Sequence, residues 1–149
     1  MSVEDRAAIQ DVISAYSYYW DGQDVEGFVT KVFVEDAVWE VQGIGASEPE
    51  LRVVSHQAIR EFAAARLARR KGKFWSRHFQ TNTVFDHLDE ISARTRTMVL
   101  VSHQGIEDHA PVPILSGVYH DRWSRTPAGW RLKHRLLRHD SHTPHVTKT

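Results

Sequence analysis

Near Phe74 the hydrophobic pattern changes its period and does not change back. Before that point apolar residues recur at three- and four-residue steps, and after it they alternate. Ile9, Val12, Ile13, Tyr16 and Tyr19/Trp20 form one apolar face, which predicts a helix over about Val3 to Trp20. Ser2 can cap it, and Glu4 and Asp5 fall in the first turn, where the helix dipole favours anions. Asp21-Gly22 ends the pattern as a turn. A second helix, capped by Asp24, turns Val25, Phe28, Val29 and Val32/Phe33 inward, and Ala37–Val41 reads as a first strand. Residues 43–50 form a loop, and Ser55 opens a third helix, Ala58 to Arg70, with Ile59, Phe62, Ala63 and Leu67 inside. Four long alternating segments follow: Phe74–His87, Glu90–His103, Val112–Ser124 and Trp130–His139. Short turns join them, which predicts an antiparallel meander. Helices first and sheet second is an α+β order, and a curved sheet with helices on one face leaves room for a pocket between the layers.

The chain's 149 residues are read as one domain, with a core over about 3–139 and a polar tail over 140–149. An apolar content of 41% beside 26% charged residues excludes wholesale disorder. The absence of cysteine excludes disulfides, thiolate catalysis and thiolate metal sites. There is no apolar run of about 18 residues, so no membrane span is expected. The start, MSVEDRAAIQ, lacks an apolar signal core, which suggests a cytoplasmic protein. Nineteen basic and nineteen acidic residues cancel. They are unevenly spread, but in one compact domain the halves interleave, so no nucleic-acid partner is expected. The densest basic run, Arg66, Arg69, Arg70, Lys71 and Lys73, closes the third helix, where it reads as a solvated end favoured by the dipole.

The informative ionisable groups stand beside aromatics. Asp21 follows Tyr16, Tyr18, Tyr19 and Trp20, where a carboxylate is partly desolvated unless paired. His78 lies in a strand, and alternation places His78, Gln80 and Asn82 on one face. His103 ends the next strand, followed by Gln104, and Arg135 lies in the last strand beside Leu136 and Leu137. A neutral imidazole suits proton abstraction near neutral pH, and a carboxylate on its far nitrogen fixes the tautomer. Other chemistries find no motif. The Gly43-Ile44-Gly45 stretch lacks the rest of a phosphate loop, and there is no nucleophile elbow. His139, His142 and His145 lie in or next to the tail without a metal-binding frame, so no metal is expected.

Several segments, in order, resemble the SnoaL-like family of the nuclear-transport-factor-2-like superfamily. They are Glu4–Asp11, Tyr16 with Asp21, Phe33–Trp39, Arg77–Asn82, Gly117–Asp121 and Gly129–Leu132. The resemblance implies a cone in which three helices close a strongly curved antiparallel sheet over a deep pocket. Among its members the chain is most similar to scytalone dehydratase, hexachlorocyclohexane dehydrochlorinase and bile-acid dehydratase. That likeness implies a lyase needing no cofactor, acting on a small hydrophobic cyclic substrate. It implies that Asp21 pairs with His78 as base, and that His103, in a His-Gln pair, is a second candidate. Tyr16, Asn82 and Arg135 are the polar candidates for holding substrate, and Trp20, Trp39 and Tyr119 the wall aromatics. The same pocket could serve an isomerase, a polyketide cyclase, or a binding or subunit module without catalysis. Relatives also suggest a homo-oligomer, dimer or trimer.

Overall fold

The computed structural model describes residues 2–145. In chain order the elements are α1 (Val3–Asp21), α2 (Val25–Val32), β1 (Phe33–Gly43), β2 (Leu51–Val54), α3 (His56–Arg70), β3 (Phe74–Leu88), β4 (Ser92–Gly105), β5 (Val112–Thr126) and β6 (Gly129–His139). Each helix starts on a side-chain cap. Ser2 accepts from the Asp5 amide, Asp24 from that of Gly27 and Ser55 from that of Ala58. Among the described residues no helix is long and apolar enough to cross a membrane.

The six strands form one curled, unclosed sheet in the order β2-β1-β6-β5-β4-β3. The meander β3–β6 is antiparallel as expected. The sheet as a whole is mixed, however, because β1 lies parallel to β6, with Trp39 opposite Arg135 and Gly43 opposite His139. β2 was not expected either. It has only four residues, too few for alternation to register, and it pairs antiparallel with β1. The α+β cone stands, with this correction to its strand directions.

The concave face carries the core. Tyr16, Phe28, Phe33, Trp39 and Trp20 pack edge-on or tilted, with Tyr16 and Phe28 ring centres 4.9 Å apart. Such edge contacts add about 0.5–1.5 kcal/mol per pair beyond the area they bury. Polar bonds set where α1 lies. Gln80 on β3 donates from Nε2 to Ser17 Oγ (2.7 Å) and the Ile13 carbonyl (2.9 Å), and Trp130 on β6 donates to Asp5 (2.9 Å). Gly117 lets β5 cross β6 closely, since a Cβ there would stand 2.3 Å from the Arg138 carbonyl oxygen. On the convex side of β3 and β4, Trp75, Phe79, Met98 and Leu100 are exposed.

Candidate active site

Asp21 is the last residue of α1. The helix continues to it and is capped by Gly22, whose amide donates to the Tyr18 carbonyl at 2.8 Å. From there the carboxylate meets β3. Its Oδ2 accepts the His78 backbone amide at 2.8 Å, and its Oδ1 lies 2.7 Å from His78 Nδ1 and also accepts the Ser76 hydroxyl. A carboxylate only accepts, so Nδ1 carries a proton, and in the neutral ring the lone pair is therefore on Nε2. Burial alone would raise the Asp21 carboxyl, but the bonds from His78 and Ser76 outweigh it and hold the group below the usual aspartate range. The carboxylate is therefore ionised at neutral pH, with both side chains about one-tenth exposed.

His78 faces a cavity of about 260 Å³ between α1, α3 and the sheet. Tyr16, Trp20, Trp39 and Phe62 supply its aromatic wall, and Val101, Leu115 and Leu137 much of the aliphatic remainder. The Tyr16 ring stands edge-on to the His78 imidazole with centroids 6.2 Å apart. Burial pushes the Tyr16 and Tyr119 phenols up, so both are neutral hydrogen-bond donors across the physiological range. His103 lines the same cavity. Ser76 is its cross-strand partner and Val101 that of His78, so the two imidazoles share a face one diagonal step apart. His103 stacks on Phe74 at 4.1 Å, and burial, with the Arg70 charge nearby, pushes its pKa down to about 4.

Not every expected residue reaches the cavity. Asp21 lies behind His78 rather than in the lining, while Tyr16, Trp20, Trp39, Tyr119, His78 and His103 all line it. Asn82 does not. The β3–β4 register slips between Thr81 and Val84, Asn82 takes φ 55°, and its amide turns outward to the Met98 sulfur at 3.4 Å. A bulge of this kind resets alternation, which is why a strict two-residue period misplaced it. Arg135 also lies outside the lining. Its guanidinium is fully buried and bidentate to Asp121, at 2.9 and 2.7 Å, between the rings of Tyr16 (4.2 Å) and Tyr119 (3.9 Å). It supports the two phenols from behind and touches no cavity surface.

A sequence profile of the SnoaL-like domain matches residues 1–136. The chain belongs to the SnoaL-like family. Solved structures agree on the fold. A Novosphingobium aromaticivorans protein described as a candidate aromatic ring hydroxylase is 30% identical, with 97% of this chain and 93% of that one covered and a TM-score of 0.75. A variant of Rv3472, a Mycobacterium tuberculosis protein of unknown function, is 27% identical over 95% and 76% of the two chains, TM-score 0.75. A candidate scytalone dehydratase from N. aromaticivorans, 23% identical over 95% and 91%, has a TM-score of 0.75 and shares the fold. No curated protein sequence matches the chain.

This SnoaL-like site also contains residues that the sequence reading left out. Arg66, Arg69 and Arg70 line the cavity, so the end of α3 is not simply a solvated face. Arg70 is buried, donates to the Trp20 carbonyl and sits over the Trp20 ring at 5.5 Å. The spacing 62, 66 and 69/70 is a helical face and held the signal. His145, assigned to a polar tail outside the site, reaches the lining as well. Ser76, the second support of Asp21, stands two positions before His78 on the same face of β3. Among the described residues no cluster of His, Asp or Glu has the arrangement of a metal site.

Proposed function

We propose that this protein is a lyase of the dehydratase or dehydrohalogenase kind, acting on a small hydrophobic cyclic molecule with no cofactor. The single observation that carries this reading is the Asp21–His78 bond at 2.7 Å behind an apolar cavity. A binding or subunit module has no use for an ionised carboxylate held on the far nitrogen of a cavity-facing imidazole. His78 Nε2 takes a proton from a ring carbon next to an electron-withdrawing group. The C–H electron pair becomes the new C=C bond, and the leaving group departs with its own bonding pair. A departing hydroxide recovers the proton from the imidazolium and leaves as water, whereas for a halide the proton passes to solvent. Asp21 stabilises the imidazolium without taking its proton. Tyr16 can donate to the developing oxyanion or leaving group, and the aromatic wall excludes water. His103, its pKa pushed down to about 4, is a neutral second base on the same face.

The test is a screen of cyclic hydroxy-ketones and chlorinated rings for loss of water or halide, with product analysis to separate elimination from isomerisation. Turnover should vanish in His78→Ala while the far-ultraviolet circular dichroism stays native. Undiminished turnover in that variant sinks the assignment. The proposal extends to self-association through the convex face of β3 and β4, where exposed Phe79 and Leu100 are cross-strand partners beside Met98, apolar exposure of the kind that marks interfaces. Light scattering during gel filtration should give a mass of two or three chains, and a monomer at micromolar concentration contradicts it.

A further inference from the structure

An arginine is a costly residue to bury at the end of α3. Arg70 closes that helix, and its guanidinium crosses to the last turn of α1, where Nη2 donates to the Trp20 carbonyl and the group lies over the Trp20 ring at 5.5 Å. The residue is 7% exposed, yet among the described residues it forms no ion pair, and its Nε has no acceptor. A cation buried without a carboxylate is penalised, and an unbranched apolar chain such as methionine could fill the space without that penalty. Packing alone therefore does not account for this side chain. The turn it holds carries Asp21, the last residue of α1. That turn closes with the Asp24 amide on the Tyr19 carbonyl (2.9 Å) and the Gln23 amide on the Trp20 carbonyl (3.1 Å), the paired bonds of a Schellman end. Such an end favours glycine in its left-handed position, but the residue there is Gln23, at φ 61°. A side chain in that conformation is strained, so the turn gains from support outside the helix. Arg70 supplies it at Trp20, the carbonyl immediately before Asp21.

We infer that Arg70 is a positioning residue for the proposed base: by holding the Trp20 carbonyl it fixes the last turn of α1 and so keeps Asp21 Oδ1 against His78 Nδ1. The inference rests on the reading of Asp21 and His78 as the catalytic pair and adds what secures that pair from the α1 side. From the β3 side the carboxylate is met by the Ser76 hydroxyl, the His78 amide and the His78 ring. All three donors belong to one strand, so the carboxylate reaches them only while α1 stays in place. Arg70 ties the end of α1 to α3, and a displacement of about 1 Å in a catalytic array can cost about a hundredfold in rate. The charge has a second use. The Asp21 carboxylate favours the Arg70 cation, and Arg70, next to burial, is the largest cause of the His103 pKa of about 4. The same guanidinium thus helps keep the neighbouring imidazole uncharged.

Two variants separate the hold from the charge. Arg70→Met removes both. Arg70→Lys keeps the charge, but its chain is one bond shorter and lacks the planar fork, so it releases the carbonyl. Nitrogen-15 spectra of histidine-labelled protein read the dyad without any substrate. Near neutral pH the parent should show His78 protonated at Nδ1, and both variants a mixture of the two tautomers, with native far-ultraviolet circular dichroism. His103 should titrate closer to 6.5 in Arg70→Met and stay near 4 in Arg70→Lys. In the elimination assay kcat should fall at least about tenfold in both variants with KM within about threefold of the parent, the split expected of a residue that acts through the base. A purely structural arginine would lower the thermal midpoint and leave the tautomer as it was. A folded variant that keeps the parental tautomer, or a kcat within about threefold of the parent, overturns the inference. Arg70→Lys, which retains the buried charge, decides the matter where Arg70→Met does not fold. Mixed tautomers in variants of a parent that eliminates nothing would count against the lyase reading and support the hold of Arg70 on the pair.

Discussion

Replacing Asp21 with Asn changes almost no atoms, yet the surrounding bonds dictate a large effect. Oδ2 accepts the His78 backbone amide, a donor that cannot move. The Asn carbonyl must take that place, because an amide NH₂ facing a backbone N–H would leave both unpaired at a cost of about 1–3 kcal/mol. The NH₂ then falls where Oδ1 was, 2.7 Å from His78 Nδ1. The Ser76 hydroxyl can rotate to accept, but Nδ1 can accept only by losing its proton. The imidazole is driven into the other tautomer, with Nε2 protonated and unable to act as a base. An equivalent carboxylate-to-amide change behind a catalytic imidazole costs on the order of 10⁴ in rate, about 5 kcal/mol of transition-state stabilisation. Folding should suffer far less, within about 1 kcal/mol, since each donor and acceptor keeps a partner. Nitrogen-15 spectra of histidine-labelled protein report the tautomer directly, and the elimination assay reports the rate. The reasoning fails if Asp21→Asn leaves Nε2 unprotonated, or if turnover stays within tenfold of the parent with the tautomer reversed.

Asp121→Asn should destabilise by about 3–5 kcal/mol, because it leaves the fully buried Arg135 cation without its bidentate partner. Urea unfolding measures this, and a loss under 1 kcal/mol would show that the pair is dispensable. His103 should titrate in proton spectra near pH 4, far below the ordinary 6.5. Between those values the unfolded chain binds more protons at this residue, so stability should decline as pH drops from 6.5 to 4. Asp21, with its carboxyl lowered, acts in the same direction. It contributes stability above the ordinary carboxylate range that disappears as pH falls through its folded value. A flat stability profile from pH 7 to about 4 would contradict the His103 part, and no further loss below about pH 4 would contradict the Asp21 part. Gly117→Ala should cost about 1–3 kcal/mol, since the new methyl group overlaps the β6 backbone, and a thermal midpoint equal to the parent's would show that β6 yields freely.

The legible parts of this molecule are local. The face of α1, the capped helix starts and the four long strands follow from period and cap chemistry over neighbouring residues. Asp21 and His78 stand out by residue type, but their meeting depends on how α1 docks on β3, and only the family resemblance anticipated it. The hidden parts are those decided across the sheet. Parallel pairing of β1 with β6 joins segments about ninety residues apart, for which no local pattern codes. The slip at Asn82 reverses a face through one left-handed residue. Arg135 has a charged side chain among apolar neighbours, the mark of a site residue, and its partner Asp121 is identifiable only once β5 and β6 are in register. The α3 arginines looked solvated because helix ends usually are, and the packing of α3 over the open edge of the cavity turned them inward.

The place of β6 has a consequence for biosynthesis. It lies between β1 and β5 and joins the outer β2-β1 ribbon to the other three strands. Because it is made after all of them, a nascent chain still lacking it has two disconnected half-sheets and no continuous floor for its greasy helices. Productive assembly must therefore wait until β6 has left the ribosome exit tunnel. Until then the aromatic faces of α1 and α2 have no complete sheet to pack against.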